Sequence, residues 1–189
     1  MDALTLLTAD HNRVRGLFTR FQSAHEAEDQ ATAVQLATKI FDELEVHTTI
    51  EETVFYPAVT DVTDEVHELV VEGEEEHKVA KDLMAEVRAL PPEDEHWAAK
   101  MKVLIESVEH HAEEEETEMF PKIRSSLDAA ALESLGEALE AKKMELGAPT
   151  LADKIDLTKE ELSQLAKEQE IPGRSKMSQE ELAATVAPA

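Results

Sequence analysis

Across 189 residues the chain carries 43 Asp and Glu against 18 Lys and Arg, a formal net charge of -25, and contains no Cys. That charge repels polyanions and anionic membranes at long range, and the lack of thiols excludes disulfides, Cys nucleophiles and thiolate metal ligation. A hydrophobic fraction of 42%, mostly Leu, Ala and Val, with five Gly and seven Pro, is enough for a core and points to an all-α fold.

The chain opens Met1-Asp2-Ala3-Leu4-Thr5, without a basic stretch followed by an apolar one, and holds no apolar run of about 18 residues. The expectation is a cytoplasmic protein with no membrane contact. The first predicted helix carries Leu4, Leu7, Val14, Leu17, Phe18 and Phe21 at helical spacing, and the second carries Val34, Leu36, Ile40, Phe41, Leu44 and Ile50. Asp29 suits the N-cap of the second, and Pro57 is expected to end it. A third helix over 64–90 presents Val66, Leu69, Val70, Val79, Leu83, Met84 and Val87. Pro91 and Pro92 break the chain, and a fourth helix opens at Pro92 or Glu93, carries Trp97, Met101, Leu104, Ile105, Val108 and Met119, and stops at Pro121.

Short connections between long amphipathic helices predict an up-down-up-down four-helix bundle. Residues 128–146 form a fifth predicted helix packed across the bundle end, and Gly147-Ala148-Pro149 marks a domain boundary.

An internal repeat supports the bundle. His47-Thr48-Thr49-Ile50-Glu51-Glu52-Thr53 and His111-Ala112-Glu113-Glu114-Glu115-Glu116-Thr117 align without a gap, each running on to an aromatic-Pro pair, Tyr56-Pro57 and Phe120-Pro121. Upstream of each copy lies an acid-His pair, Asp10-His11 and Glu76-His77. Residues four apart on a helix share a face, so His47 pairs with Glu51 and His111 with Glu115; a His from each of the other two helices completes a ring of N and O donors able to hold two cations.

These residues resemble the hemerythrin-like proteins, the HHE cation-binding domain, over about residues 1–147. The resemblance implies a non-haem centre of two iron ions with an oxo or hydroxo bridge, manganese being the weaker alternative. His11 and His47 would serve one iron, His77 and His111 the other, and Glu51 and Glu115 would bridge. Oxygen carriers of the family have a further His one turn before the one matching His77; here that position is Gly73. Tyr56, Glu74 or solvent could fill the gap, although ideal rotation puts Tyr56 about 180° from His47 unless Pro57 distorts the last turn. An open position favours reaction or exchange at the metal over simple carriage.

Register with Pro121 selects His111 as the inward residue, with His110 paired to Glu114 or Glu115 as the rival. His25, His67 and His96 read as surface residues. Asp10, Glu52, Glu76, Glu114 and Glu116 read as solvated faces, with hydrogen bonds to the ligand imidazoles as the alternative. Phe18, Phe21, Phe41, Phe55, Trp97, Met84, Met101 and Met119 read as core.

After Pro149, two capping boxes, Thr158 with Glu161 and Ser178 with Glu181, start two short helices joined by Ile171-Pro172-Gly173-Arg174-Ser175-Lys176. Residues 150–189 thus resemble a small helix-extended-helix module of the Rho N-terminal/SAP-like type. That resemblance implies nucleic-acid contact through Lys167, Arg174 and Lys176, a weak footprint on so acidic a chain, and a protein-docking role competes with it. The whole reads as a protein that binds, senses or reacts with dioxygen, peroxide or nitric oxide. The alternatives are a catalase-like or peroxidase-like enzyme and a non-catalytic scaffold.

Overall fold

The computed structural model describes residues 1–148 together with Ser163, Ala166, Lys167 and Gly173. Among these residues the protein is all-α, with no strand. Helix α1 spans Ala3–Glu26. Helix α2 spans Gln30–Ile50 and runs on through a π-turn, Glu51–Phe55, into a last segment, Tyr56–Val59. Helix α3 spans Asp64–Ala89; α4 spans Glu95–Glu114 and continues through a second π-turn, Glu115–Met119, into Phe120–Ser126; α5 spans Ala129–Glu145. No helix among the described residues is long and apolar enough to cross a membrane.

The caps explain where the helices begin. Asp2, Asp29, Thr63, Asp94 and Asp128 each accept a backbone N–H from the first turn of the helix that follows. Asp94 therefore starts α4 at Glu95, later than the proline-based expectation of Pro92 or Glu93, because an N-cap with a side-chain acceptor satisfies more orphan donors than a proline does.

Pro57 and Pro121 do not end their helices. A proline ring clashes with the carbonyl four residues back in regular helix, but here each follows a turn already widened to the i→i+5 pattern. The Tyr56 N–H reaches the Glu51 carbonyl and the Phe120 N–H the Glu115 carbonyl. Regular bonding resumes immediately, with Thr60 N–H to Tyr56 O at 2.9 Å and Leu127 N–H to Ile123 O at 2.9 Å.

Short connections pair α1 with α2 and α3 with α4 as two hairpins, and the apolar residues form two clusters. One holds Phe18, Phe21, Ile40, Phe41, Met84, Trp97, Met101 and Leu104; the other holds Leu4, Leu7, Ile50, Phe55, Val66, Met119, Ile123 and Leu132. Along each long helix the inward polar residues fall between the two clusters, so a polar layer is sandwiched by apolar ones. Each fully buried large side chain contributes about 1.5–3 kcal/mol, which lets the bundle carry that layer. Val79, which the periodicity placed on the apolar face, is 51% exposed.

Helix α5 lies against the start of α1 and the turn at the end of α2 rather than only across the bundle end. Its crossing depends on Gly136, where an added Cβ would stand 2.1 Å from the Met1 carbonyl oxygen and 3.0 Å from the Ala3 nitrogen. Both are backbone atoms with little freedom to move. Gly136→Ala is expected to lower stability by about 1–3 kcal/mol in denaturant titration; a variant as stable as the parent would contradict the close crossing. Gly147, at φ 71°, closes α5 in the left-handed conformation that glycine tolerates. Apart from Ser163, Ala166, Lys167 and Gly173, the module expected at 150–189 lies outside the described residues.

Candidate metal centre

The polar layer brings six predicted donors together: His11 from α1, His47 and Glu51 from α2, His77 from α3, His111 and Glu115 from α4. All are buried, and Glu51 is 0% exposed. The imidazoles face each other in pairs, His11 Nε2 to His47 Nε2 at 3.1 Å and His77 Nε2 to His111 Nε2 at 3.0 Å. Each carboxylate touches one imidazole of each pair. Glu51 Oε2 stands 3.2 Å from His47 Nε2 and 3.3 Å from His77 Nε2; Glu115 Oε2 stands 3.3 Å from His11 Nε2 and 3.9 Å from His111 Nε2. His110 instead points outward beside Glu114, 3.6 Å away on the surface, so His111 is the inward member of that pair.

The outer nitrogens of the same rings meet a second set of carboxylates. His11 Nδ1 lies 2.8 Å from Glu116 Oε1, His77 Nδ1 3.1 Å from Glu52 Oε1, His111 Nδ1 2.7 Å from Glu76 Oε2, and His47 Nδ1 3.9 Å from Asp10 Oδ2. Asp10, Glu52, Glu76 and Glu116 are therefore not merely solvated residues. The acid next to each ligand-type residue in sequence sits at a seam between helices and reaches the ring on the neighbouring one. The first three of these contacts are hydrogen bonds, and these fix the tautomer that leaves Nε2 free as a donor to metal. Arg15 backs Glu116 at 2.8 Å, Lys81 backs Glu52 at 2.5 Å and Lys143 backs Asp10 at 2.5 Å. Glu114 stays at the surface with His110, and His25, His67 and His96 are exposed.

Tyr56 departs from ideal-helix expectation. The π-turn absorbs one residue, so Tyr56 falls roughly 80° around the axis from His47 instead of opposite it. Its ring is buried and stacks over His77 at 5.5 Å between centroids, while its hydroxyl donates to Glu115 Oε1 at 2.9 Å and stands 3.4 Å from His77 Nε2. A Cβ at Gly73 would meet that hydroxyl at 2.8 Å. The phenol thus occupies the space beside Gly73. Glu74 is exposed. In the other half, Phe120 stacks over His11 at 6.1 Å without a hydroxyl to offer.

Charge is unevenly distributed over the layer. Burial and the neighbouring Glu115 raise Glu51 well above the usual carboxylate range. Burial would raise Glu115 too, but His111, His11 and His47 hold it well below that range. Burial and His111 push His77 down to about 2. Burial alone would lower His11, yet Glu115 and Glu116 outweigh it and raise this imidazole. Burial, with Glu115 and Glu51 nearby, pushes the Tyr56 hydroxyl well above its ordinary value and keeps it a neutral phenol.

Two observations test whether these donors fit metal. Both oxygens of Glu51 and Glu115 Oε2 are buried with no hydrogen-bond partner among the described residues. Facing Nε2 atoms, moreover, can share at most one hydrogen per pair. Unpartnered buried acceptors are costly, and cations between them remove the cost. The donors also fall into two touching groups, His11, His47, Glu51 and Glu115, and Glu51, His77 and His111, which match a hemerythrin-type two-metal architecture. A narrow carbon-walled cavity between α1, α2 and α4, lined by Val14, Phe18, Leu44, Val108 and Ala112 with Arg15 and Glu109, reaches the rings of His11, His47 and His111.

Residues 2–123 match the family described as the hemerythrin HHE cation binding domain. A curated protein named DNA nickase, from Nostoc sp. (strain PCC 7120 / SAG 25.82 / UTEX 2576), is 27% identical over 148 residues, 77% of this chain. The chain spans 40% of that protein's length. No solved structure matches the chain significantly.

Proposed function

The chain belongs to the hemerythrin HHE cation-binding family, and on that premise we propose that it holds two iron ions and uses them to bind, sense or react with dioxygen, peroxide or nitric oxide. The observation that carries this reading is the buried layer in which Glu51 and Glu115 each touch an imidazole of both pairs. His11 and His47 would hold one ion and His77 and His111 the other, with Glu51 and Glu115 spanning them and Tyr56 in the position left by Gly73. The ions supply redox chemistry that these side chains lack. The chain supplies the rest: outer carboxylates orient the rings, Phe55, Phe120 and the flanking apolar clusters exclude water, and the carbon-walled cavity admits small neutral ligands more readily than anions.

Exhaustive dialysis of the iron-loaded protein followed by metal analysis is expected to leave about two ions per chain, and fewer than about one in His47→Ala or Glu51→Ala, since removing a ligand from such a site costs most of its affinity. Retention equal to the parent in both variants would defeat the assignment, and equal retention of manganese would remove the preference for iron. Catalase-like or peroxidase-like turnover is the enzymatic form of this reading. It requires peroxide loss above that of free iron, abolished in the same two variants.

The nickase relative favours a second reading in which the protein acts on or near DNA. The net charge of -25 opposes it. Relaxation of supercoiled plasmid by the metal-loaded chain, absent in Glu51→Ala, would establish it.

A further inference from the structure

One buried ion pair ties α5 to the donor layer. Lys143 of α5 places Nζ 2.5 Å from both carboxylate oxygens of Asp10, whose side chain is 6% exposed. Asp10 precedes His11 on α1 and turns its other contact toward His47 of α2, with Oδ2 3.9 Å from Nδ1. That nitrogen has no hydrogen-bond partner among the described residues, whereas the other three outer nitrogens sit within hydrogen-bond distance of a carboxylate. Arg15 and Lys81, which back two of those carboxylates, belong to the four-helix bundle itself. Lys143 comes from outside it. A buried carboxylate needs a counter-charge, and the Lys143 ammonium reaches Asp10 when α5 is docked.

We propose that Lys143 is a positioning residue for His47, holding Asp10 as the acceptor opposite Nδ1, and that docking of α5 is thereby coupled to metal occupancy of the centre. The inference rests on the two-metal reading above. Coupling of this kind is reciprocal: whatever factor α5 docking adds to metal affinity, metal must add to α5 docking. Positions following α5 in the chain can then sense the loaded state, and ligands that pull α5 away can release metal.

The test uses the full chain with ferrous ion under anaerobic conditions. In the parent protein, loading is expected to slow hydrogen exchange of the amides in 129–145 by at least about tenfold, and chelator competition reports the affinity. Lys143→Met is expected to erase the exchange response and weaken ferrous binding by about 10–100-fold, the usual effect of losing a group that orients a ligand imidazole. Lys143→Arg restores most of both. Lys142→Met, on the neighbouring lysine that pairs with Glu145, leaves both unchanged.

Parent exchange in 129–145 indifferent to loading, or Lys143→Met binding ferrous ion as tightly as the parent, overturns the proposal. If Lys143→Met frees α5 altogether, the parent exchange and the Arg variant still decide it. A parent chain that retains no ferrous ion overturns the two-metal reading with it, whereas a chain that retains both ions under an indifferent α5 overturns this inference alone.

Discussion

Glu51→Met is expected to abolish metal retention and, in the metal-free protein, to raise stability by about 1–4 kcal/mol, the range found when buried charged groups give way to apolar ones of similar volume. Glu51 is 0% exposed, both of its oxygens lack hydrogen-bond partners among the described residues, and Glu115 crowds it. Methionine fills similar space without that penalty. With metal present the order reverses, because binding to the folded state alone adds stability that only the parent can gain.

The pH dependence gives the sign. Since folding raises the Glu51 pKa, the cost of ionising this residue is absent below the unfolded carboxylate value and grows as pH rises from there through its folded value. His77 acts in the other direction. Its folded pKa of about 2 lies below the unfolded imidazole value, so stability is lost as pH falls from roughly 6.5 toward 2. Denaturant melts of the chelated proteins are therefore expected to show the advantage of Glu51→Met growing from about pH 5 to about pH 8. A variant no more stable than the parent at the upper pH would contradict the buried-acid account.

Tyr56→Phe carries the next largest effect. The side chain shape has a precedent in the other half, where Phe120 occupies the corresponding place over His11. What disappears is the hydroxyl, and with it the donor to Glu115 Oε1. Loss of that buried hydrogen bond is expected to cost the metal-free protein about 1–3 kcal/mol. Both ions are expected to stay, since the four imidazoles and two carboxylates are untouched. If the phenol becomes a ligand when iron binds, its proton leaves and a visible charge-transfer absorption appears in the parent and not in the variant. Nitric oxide association, followed by stopped flow, is expected to accelerate by about tenfold once the position beside Gly73 opens, the scale of roughly 1.4 kcal/mol in the barrier. An unchanged spectrum with unchanged rates would leave the phenol a packing residue.

Much of this was legible from periodicity and repetition. Four long amphipathic helices, the Asp29 cap and the doubled His-x-x-x-Glu follow from spacing alone, and the structure gathers the six donors that the repeat aligned. The prolines were misleading because Pro57 and Pro121 were weighed against a regular helix, and widening of the turn is a backbone adjustment with no residue-type signature of its own. The same widening hid the orientation of Tyr56. Asp10, Glu52, Glu76 and Glu116 could not be told from Glu114 for a different reason: among 43 acidic residues, the few that reach a ligand-type imidazole on a neighbouring helix differ from the rest only by the tertiary seam they occupy.

Tyr56 and Phe120 are twins by position and differ by one oxygen atom. Two copies of a single hairpin, associating as separate molecules about a true twofold axis, would have to place the same aromatic over both imidazole pairs. Joining the hairpins in one chain removes that requirement, so the two ends of the centre can diverge by substitution at one codon without disturbing the other. The loop between α2 and α3, beyond closing the bundle, is what permits a chemically unequal pair of sites.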